Sequence, residues 1–131
     1  MKTLIVEDDF TSRLLLQELL KQYGPSHIAV NGKEAVEAVR TALETGEPYD
    51  LICLDIMMPE MDGQEALQQI RAQEEARNIL SSNGAKIVMT TALNDLKNVS
   101  FAYQNLCDAY LTKPIEKAKL IDELRELKLI S

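Results

Sequence analysis

The run Leu51-Ile52-Cys53-Leu54 holds no polar side chain and ends at Asp55. A strand with one solvated face alternates apolar and polar residues, so a continuous run predicts a strand covered on both sides. Helices must then lie on both faces of the sheet it joins. Four further short runs, Thr3–Val6, Ile28–Val30, Lys86–Thr91 and Ala109–Thr112, are separated by segments of helical period. Short apolar runs alternating with such segments are the pattern of βαβ units around a parallel sheet. The reading is an α/β chain with a doubly wound sheet of five strands and five helices, its crossovers right-handed. Strand order does not follow from the pattern.

The helices carry their own start and stop signals. Asp9 is placed as an N-cap for a first helix in which Leu15, Leu16, Leu19 and Leu20 share a face, and Gly24-Pro25 ends that segment. Asn31 and Glu34 form a capping box for a second helix with Ala35, Val36, Val39, Ala42 and Leu43 on one face, closed by Gly46 and Pro48. A third helix starts at Asp62 or Gly63 and buries Ala66, Leu67 and Ile70, followed by a long polar connection from Arg77 to Gly84. A fourth is expected from about Asn94 to Asn105 on the thin apolar set Val99, Ala102, Tyr103 and Leu106, which makes it the least firmly packed. The last covers Glu116 to Lys128 and presents Leu120, Ile121, Leu124 and Leu127.

Length and composition narrow the function. At roughly 100–200 residues per domain, 131 residues make one domain with an ordinary core, and 46% hydrophobic with 27% charged residues rules out disordered or fibrous readings. The net charge of −7 repels phosphate backbones and anionic lipid, so neither nucleic acid nor membrane is an expected partner. Cys53 and Cys107 lie far apart, with no CxxC and no adjacent His, and are expected to be buried, inert hydrophobes. The acids Glu7, Asp8 and Asp9 cut short any leader-like run, and no stretch approaches ~18 apolar residues. The expectation is a soluble cytoplasmic chain.

In open α/β sheets, ligands bind beyond the carboxyl ends of the strands. There this sequence places Glu7, Asp8 and Asp9 after the first run, Asp55 at the third, Thr90-Thr91-Ala92 at the fourth and Lys113-Pro114 after the fifth. Clustered carboxylates raise one another's pKa, so such a group either shares a proton or holds a metal. Ligands that are all oxygens favour a hard cation, and Mg²⁺ typically takes one or two carboxylates together with a phosphoryl group. An aspartate beside Mg²⁺ and Lys113 is a competent phosphoryl acceptor. The plainer reading has the acids capping helices and Lys113 pairing with one of them. Capping accounts for Asp9 in full, but it does not account for Glu7, Asp8, Asp55, Thr91 and Lys113 converging on one edge.

Four motifs in this order, Val6-Glu7-Asp8, the stretch Leu54-Asp55-Ile56-Met57-Met58-Pro59-Glu60-Met61-Asp62-Gly63, Thr91-Ala92 and Lys113-Pro114, give the chain its resemblance. From Thr3 to about Lys128 it resembles a CheY-like receiver domain of two-component response regulators. The resemblance implies a flavodoxin-like sheet in the order 2-1-3-4-5, two helices on one face and three on the other, and a cis peptide before Pro114. It implies that Asp55 accepts a phosphoryl group from a phosphohistidine of a sensor histidine kinase or histidine phosphotransfer protein. Mg²⁺ would be held by Asp8 and Asp55 directly, by Glu7 through a water and by the backbone carbonyl of Met57. Thr91 and Lys113 would hold the phosphoryl oxygens. Tyr110 matches the family's aromatic switch, so that phosphorylation with Thr91 would bias the surface of the fourth helix, fifth strand and last helix for a downstream protein. Tyr103 and Lys97 are candidates for that output surface, while His27 is read as structural or exposed.

Pro59 and Gly63 are read as residues that shape the loop after Asp55. Met57 and Leu93 stand where the family places polar side chains when hydrolysis is fast, and neither orients a water, so slow loss of the phosphoryl group is expected. The chain would then be no enzyme toward other substrates, catalysing only its own phosphorylation and slow autodephosphorylation. A haloacid-dehalogenase-type phosphatase shares the aspartate, Mg²⁺, Thr and Lys, but needs a second acid where Met57 stands. A phosphorylation-independent module has no use for the retained acids, and a flavodoxin lacks its phosphate loop here. The whole of 1–131 is expected to be one receiver without an effector domain.

Overall fold

The structure, a computed structural model, describes residues 1–58, 61–80, 83–92 and 106–131. Five parallel strands, β1 (Thr3–Val6), β2 (Ser26–Ala29), β3 (Leu51–Asp55), β4 (Lys86–Thr91) and β5 (Ala109–Thr112), form one sheet in the order β2-β1-β3-β4-β5. The helices are α1 (Phe10–Leu20), α2 (Gly32–Glu44), α3 (Gly63–Ala76) and α4 (Lys117–Glu126). The helix expected over Asn94–Asn105 lies outside the described residues, as do Pro59, Leu93, Lys97 and Tyr103. No helix among the described residues is long and apolar enough to cross a membrane.

Every residue of β3 is buried, as a strand covered on both faces requires. Its side chains divide by parity between two cores. Ile52 and Leu54 join Leu4, Val6, Ile87 and Met89 against Ala35 and Val39 of α2 and Leu67 and Ile70 of α3. Leu51 and Cys53 join Ile5, Val88 and Leu111 against Leu16 and Leu20 of α1 and Leu120, Ile121 and Leu124 of α4. Thus α2 and α3 cover one face, and α1 and α4 the other. At ~1.5–3 kcal/mol per fully buried Leu or Ile side chain, these layers dominate the favourable side of folding.

The caps appear where the acids and amides predict them. Asp9 accepts from Ser12 N–H at 2.9 Å and Asp62 from Glu65 N–H at 2.9 Å. Asn31 accepts from Glu34 N–H at 2.8 Å, while the Glu34 carboxylate reaches back to Val30 N–H at 3.0 Å. Boundaries move by a few residues: α1 ends at Leu20 and a 3₁₀ turn, Lys21–Tyr23, fills the space before Gly24. β2 begins at Ser26, and α4 is shorter than expected at both ends.

Two expectations fail on burial. Leu15 is 40% exposed, because α1 turns Leu16 and Leu20 inward. Cys107 is half-buried, whereas Cys53 is buried with its thiol pKa raised by desolvation. One acid outside the Asp55 edge, Glu74, is buried beside Arg71. Arg71 bonds Glu74 at 2.7 Å, Asp108 at 3.0 Å, the Ala85 carbonyl at 2.9 Å and the Leu106 carbonyl at 2.8 Å. This cluster pins the end of the Arg77–Gly84 connection, where Glu74 accepts from Ala85 N–H at 2.8 Å. His27 is exposed, as expected, with Nδ1 2.7 Å from the Tyr49 hydroxyl.

Candidate functional site

Glu7 directly follows β1, and Asp55 is the last residue of β3, the neighbouring strand. With both side chains buried, at 1% and 6% exposure, the sheet edge brings two carboxylates into a space with little water. Asp8 is exposed at the rim. Glu7, Asp8 and Asp55 each offer an oxygen within 4.8 Å of the others.

Lys113 directly follows β5, where its N–H donates to Thr91 O at 2.8 Å and carries the β4–β5 ladder one step further, and the peptide to Pro114 is cis, as expected. Its Nζ stands 2.6 Å from Glu7 Oε1 and 3.4 Å from Asp55 Oδ1. The 2.6 Å approach is a charge contact only, since Glu7 Oε1 makes no hydrogen bond of acceptable geometry. Glu7 Oε2 accepts from Asp9 N–H at 3.2 Å.

One ammonium does not offset this much negative charge. Burial, then the hydrogen bond and charge of Glu7, push the Asp55 carboxyl up to about 7 against the opposing pull of Lys113. Burial alone would lower the Lys113 ammonium, but Glu7 and Asp55 outweigh it and raise its pKa. An all-oxygen cluster with excess negative charge and a buried carboxylate oxygen lacking a hydrogen bond fits a hard divalent cation such as Mg²⁺.

The loop after Asp55 is tied down on both sides. Ile56 N–H donates to Thr90 O at 3.1 Å and Gly63 N–H to Ile56 O at 2.8 Å. A Cβ at Gly63 would come 2.1 Å from the Asp55 carbonyl oxygen, so only glycine lets α3 start against the strand end. The turn reading of Gly63 is thereby sharpened: its lack of a side chain sets the position of Asp55. Met57, two residues beyond Asp55, is 57% exposed.

Thr91 is buried at the end of β4, but its hydroxyl donates to Ala92 O at 3.1 Å instead of joining the acids. Tyr110 packs its ring against the α2–α3 core, and its hydroxyl is buried without a hydrogen-bond partner among the described residues. Sequence reasoning missed an apolar collar. Phe10 at 66% exposure and Leu14 at 47% lie on the first turns of α1, Val30 follows β2 and Met57 follows β3, so these four lie toward the carboxyl edge of the sheet, whereas Leu80, at 67%, lies in the connection before β4. The signal was the uninterrupted Leu14-Leu15-Leu16, which exceeds what one helical face can bury.

A family profile, response regulator receiver domain, matches residues 3–125. Sensor protein GacS of Pseudomonas syringae pv. syringae is 38% identical over 120 residues, covering 91% of this chain and 12% of that protein. The chain therefore spans about an eighth of that relative's length. The receiver domain of sensor histidine kinase PA1611 from Pseudomonas aeruginosa, solved with a magnesium ion coordinated in its active site cleft, is similar with a TM-score of 0.75 and 27% identity over 97% of both chains. A chain from the co-crystal structure of the Saccharomyces cerevisiae histidine phosphotransfer protein Ypd1 with the receiver domain of Ssk1 is similar with a TM-score of 0.77 and 30% identity, covering 97% of this chain and 88% of that one.

Proposed function

The chain belongs to the response regulator receiver domain family, and from that premise we propose that it is an aspartate station in a phosphorelay, taking a phosphoryl group onto Asp55 from a phosphohistidine. The observation that carries this reading is the buried Asp55 carboxylate facing Lys113 at 3.4 Å, with Glu7 and Asp8 beside it. In the transfer, an Asp55 oxygen forms a bond to phosphorus while the donor's phosphorus–nitrogen bond breaks. The imidazole leaves with that electron pair and takes up a proton. Lys113 stands on the Oδ1 side, where its ammonium offsets charge on the transferring oxygens. Asp8, Asp55 and the Met57 carbonyl, with Glu7 through a water, would hold Mg²⁺. When bound, that ion supplies further positive charge against the phosphoryl oxygens.

Thr91 and Tyr110 carry the switch in this reading. The Thr91 hydroxyl now serves Ala92 O and would turn to a phosphoryl oxygen, while the unpartnered Tyr110 hydroxyl follows the space so released. The donor is a kinase or phosphotransfer domain that seats on the collar of Phe10, Leu14 and Met57. Met57 cannot orient a water for hydrolysis, so the phosphoryl group stays long enough for a partner to read it. The chain acts on no separate substrate.

Intact mass after incubation with acetyl phosphate tests the chemistry. One phosphoryl adduct is expected with Mg²⁺, none with a chelator, none in Asp55→Asn, and slow loss once donor is removed. An adduct that survives Asp55→Asn overturns the assignment, and rapid Mg²⁺-dependent loss overturns the slow hydrolysis.

A further inference from the structure

The final rung of the sheet holds a hydroxyl that the site described so far does not use. Asp55 on β3 is in register with Thr90 on β4, and Thr90 with Leu111 on β5. Register partners in a parallel ladder project to the same face, and Val88 and Leu111 place that face against α1 and α4. Thr90 therefore sits beside Asp55, with Lys113 leaving the sheet two residues beyond Leu111. Thr90 is 1% exposed, and its Oγ1 has no hydrogen-bond partner among the described residues. Its neighbour Thr91 spends its hydroxyl on Ala92 O.

A buried hydroxyl without a partner destabilises, and valine would fill the same space without that penalty. A hydroxyl at this position makes sense if a partner reaches it in another state of the site. Asp55 is adjacent in the present state and does not bond it, so the partner must be a side chain that moves. Lys113 is the long flexible side chain of this row, and its ammonium, with three donors, stands in charge contact with Glu7 at 2.6 Å and Asp55 at 3.4 Å.

We propose that Thr90 is a positioning residue for Lys113: once Asp55 carries a phosphoryl group, Thr90 Oγ1 accepts a hydrogen bond from the Lys113 ammonium and holds it against the phosphoryl oxygens. This rests on Asp55 as the phosphoacceptor. Thr90 touches no reacting atom and works through the lysine.

The test is thermal unfolding of wild type, Thr90→Val and Thr90→Ser, with and without Mg²⁺ plus beryllofluoride, a tetrahedral phosphoryl analogue. Without ligand, Thr90→Val melts at or above wild type, because it loses only an unpaired hydroxyl. With the analogue, its upward shift is less than half that of wild type, and Thr90→Ser restores the full shift. A full shift in Thr90→Val overturns the proposal, as does a lower melting point of unliganded Thr90→Val, which means that the hydroxyl is already satisfied, for instance by a buried water. If wild type itself shows no shift that Asp55→Asn abolishes, the acceptor reading falls and takes this proposal with it.

Discussion

Asp55 is a carboxyl group held where ionisation is unfavourable. Its pKa of about 7 in the metal-free protein, against an ordinary value near 4, means that the folded state binds the proton more tightly than the unfolded chain does. Stability therefore falls as pH rises from about 4 to about 7, and the penalty stays constant above that. Asp55→Asn removes the buried charge while keeping shape. In chelator at pH 8 it should be more stable than wild type by about 2 kcal/mol, well short of the full conversion of the shift because Lys113 and residual water screen the group. The gain should vanish by pH 4, as followed by urea unfolding at both pH values. Equal stabilities at pH 8 would mean that Lys113 already neutralises the pocket. Residues of this kind were legible because the chemistry of the edge follows from which strand ends carry acids. The rotamer of Thr91, by contrast, depends on whether a phosphoryl oxygen or Ala92 O is available, which no spacing encodes.

Among elements, β3 and β4 were readable from hydrophobic runs alone, since a strand buried on both faces has one interpretation. Helix faces were less so: Leu14-Leu15-Leu16 fits more than one helical phase, and only packing against Ile5 and Leu111 selects Leu16. The Arg71 cluster was invisible because a charged residue next to Ile70 reads as the rim of an amphipathic face. It is buried at 8% exposure and joins α3 to the starts of β4 and β5 through Glu74, Asp108 and two carbonyls. Arg71→Ala strands two carboxylates, one of them fully buried, and should destabilise the protein by about 3–5 kcal/mol in urea unfolding. Arg71→Ala together with Glu74→Gln should recover part of the loss, because one of the stranded charges is gone. A cost below about 1 kcal/mol for the single variant would show that water already serves these carboxylates.

At the scale of the whole molecule, the sheet order brings every chemical group to one edge, and Phe10, Leu14, Val30 and Met57 are exposed toward that same edge. Order was implied by family resemblance and not by pattern, because right-handed crossovers permit more than one arrangement of five strands. The apolar collar has a direct consequence for partner choice. A surface with net charge −7 that keeps Phe10 and Leu14 exposed beside its acids favours an apolar protein contact around a polar centre. A small phosphodonor needs only the acids and Lys113, whereas a phosphohistidine protein must also seat its surface on α1. Phe10→Ser with Leu14→Ser should therefore leave phosphorylation by acetyl phosphate unchanged and slow transfer from a histidine phosphotransfer protein about tenfold, the loss of roughly 1.4 kcal/mol of interface contact. The comparison of the two donors on one variant separates docking from chemistry. Slowing with both donors would mean that α1 positions the acids, through the Asp9 cap and Glu7, and no slowing with either would move the donor's seat to another face.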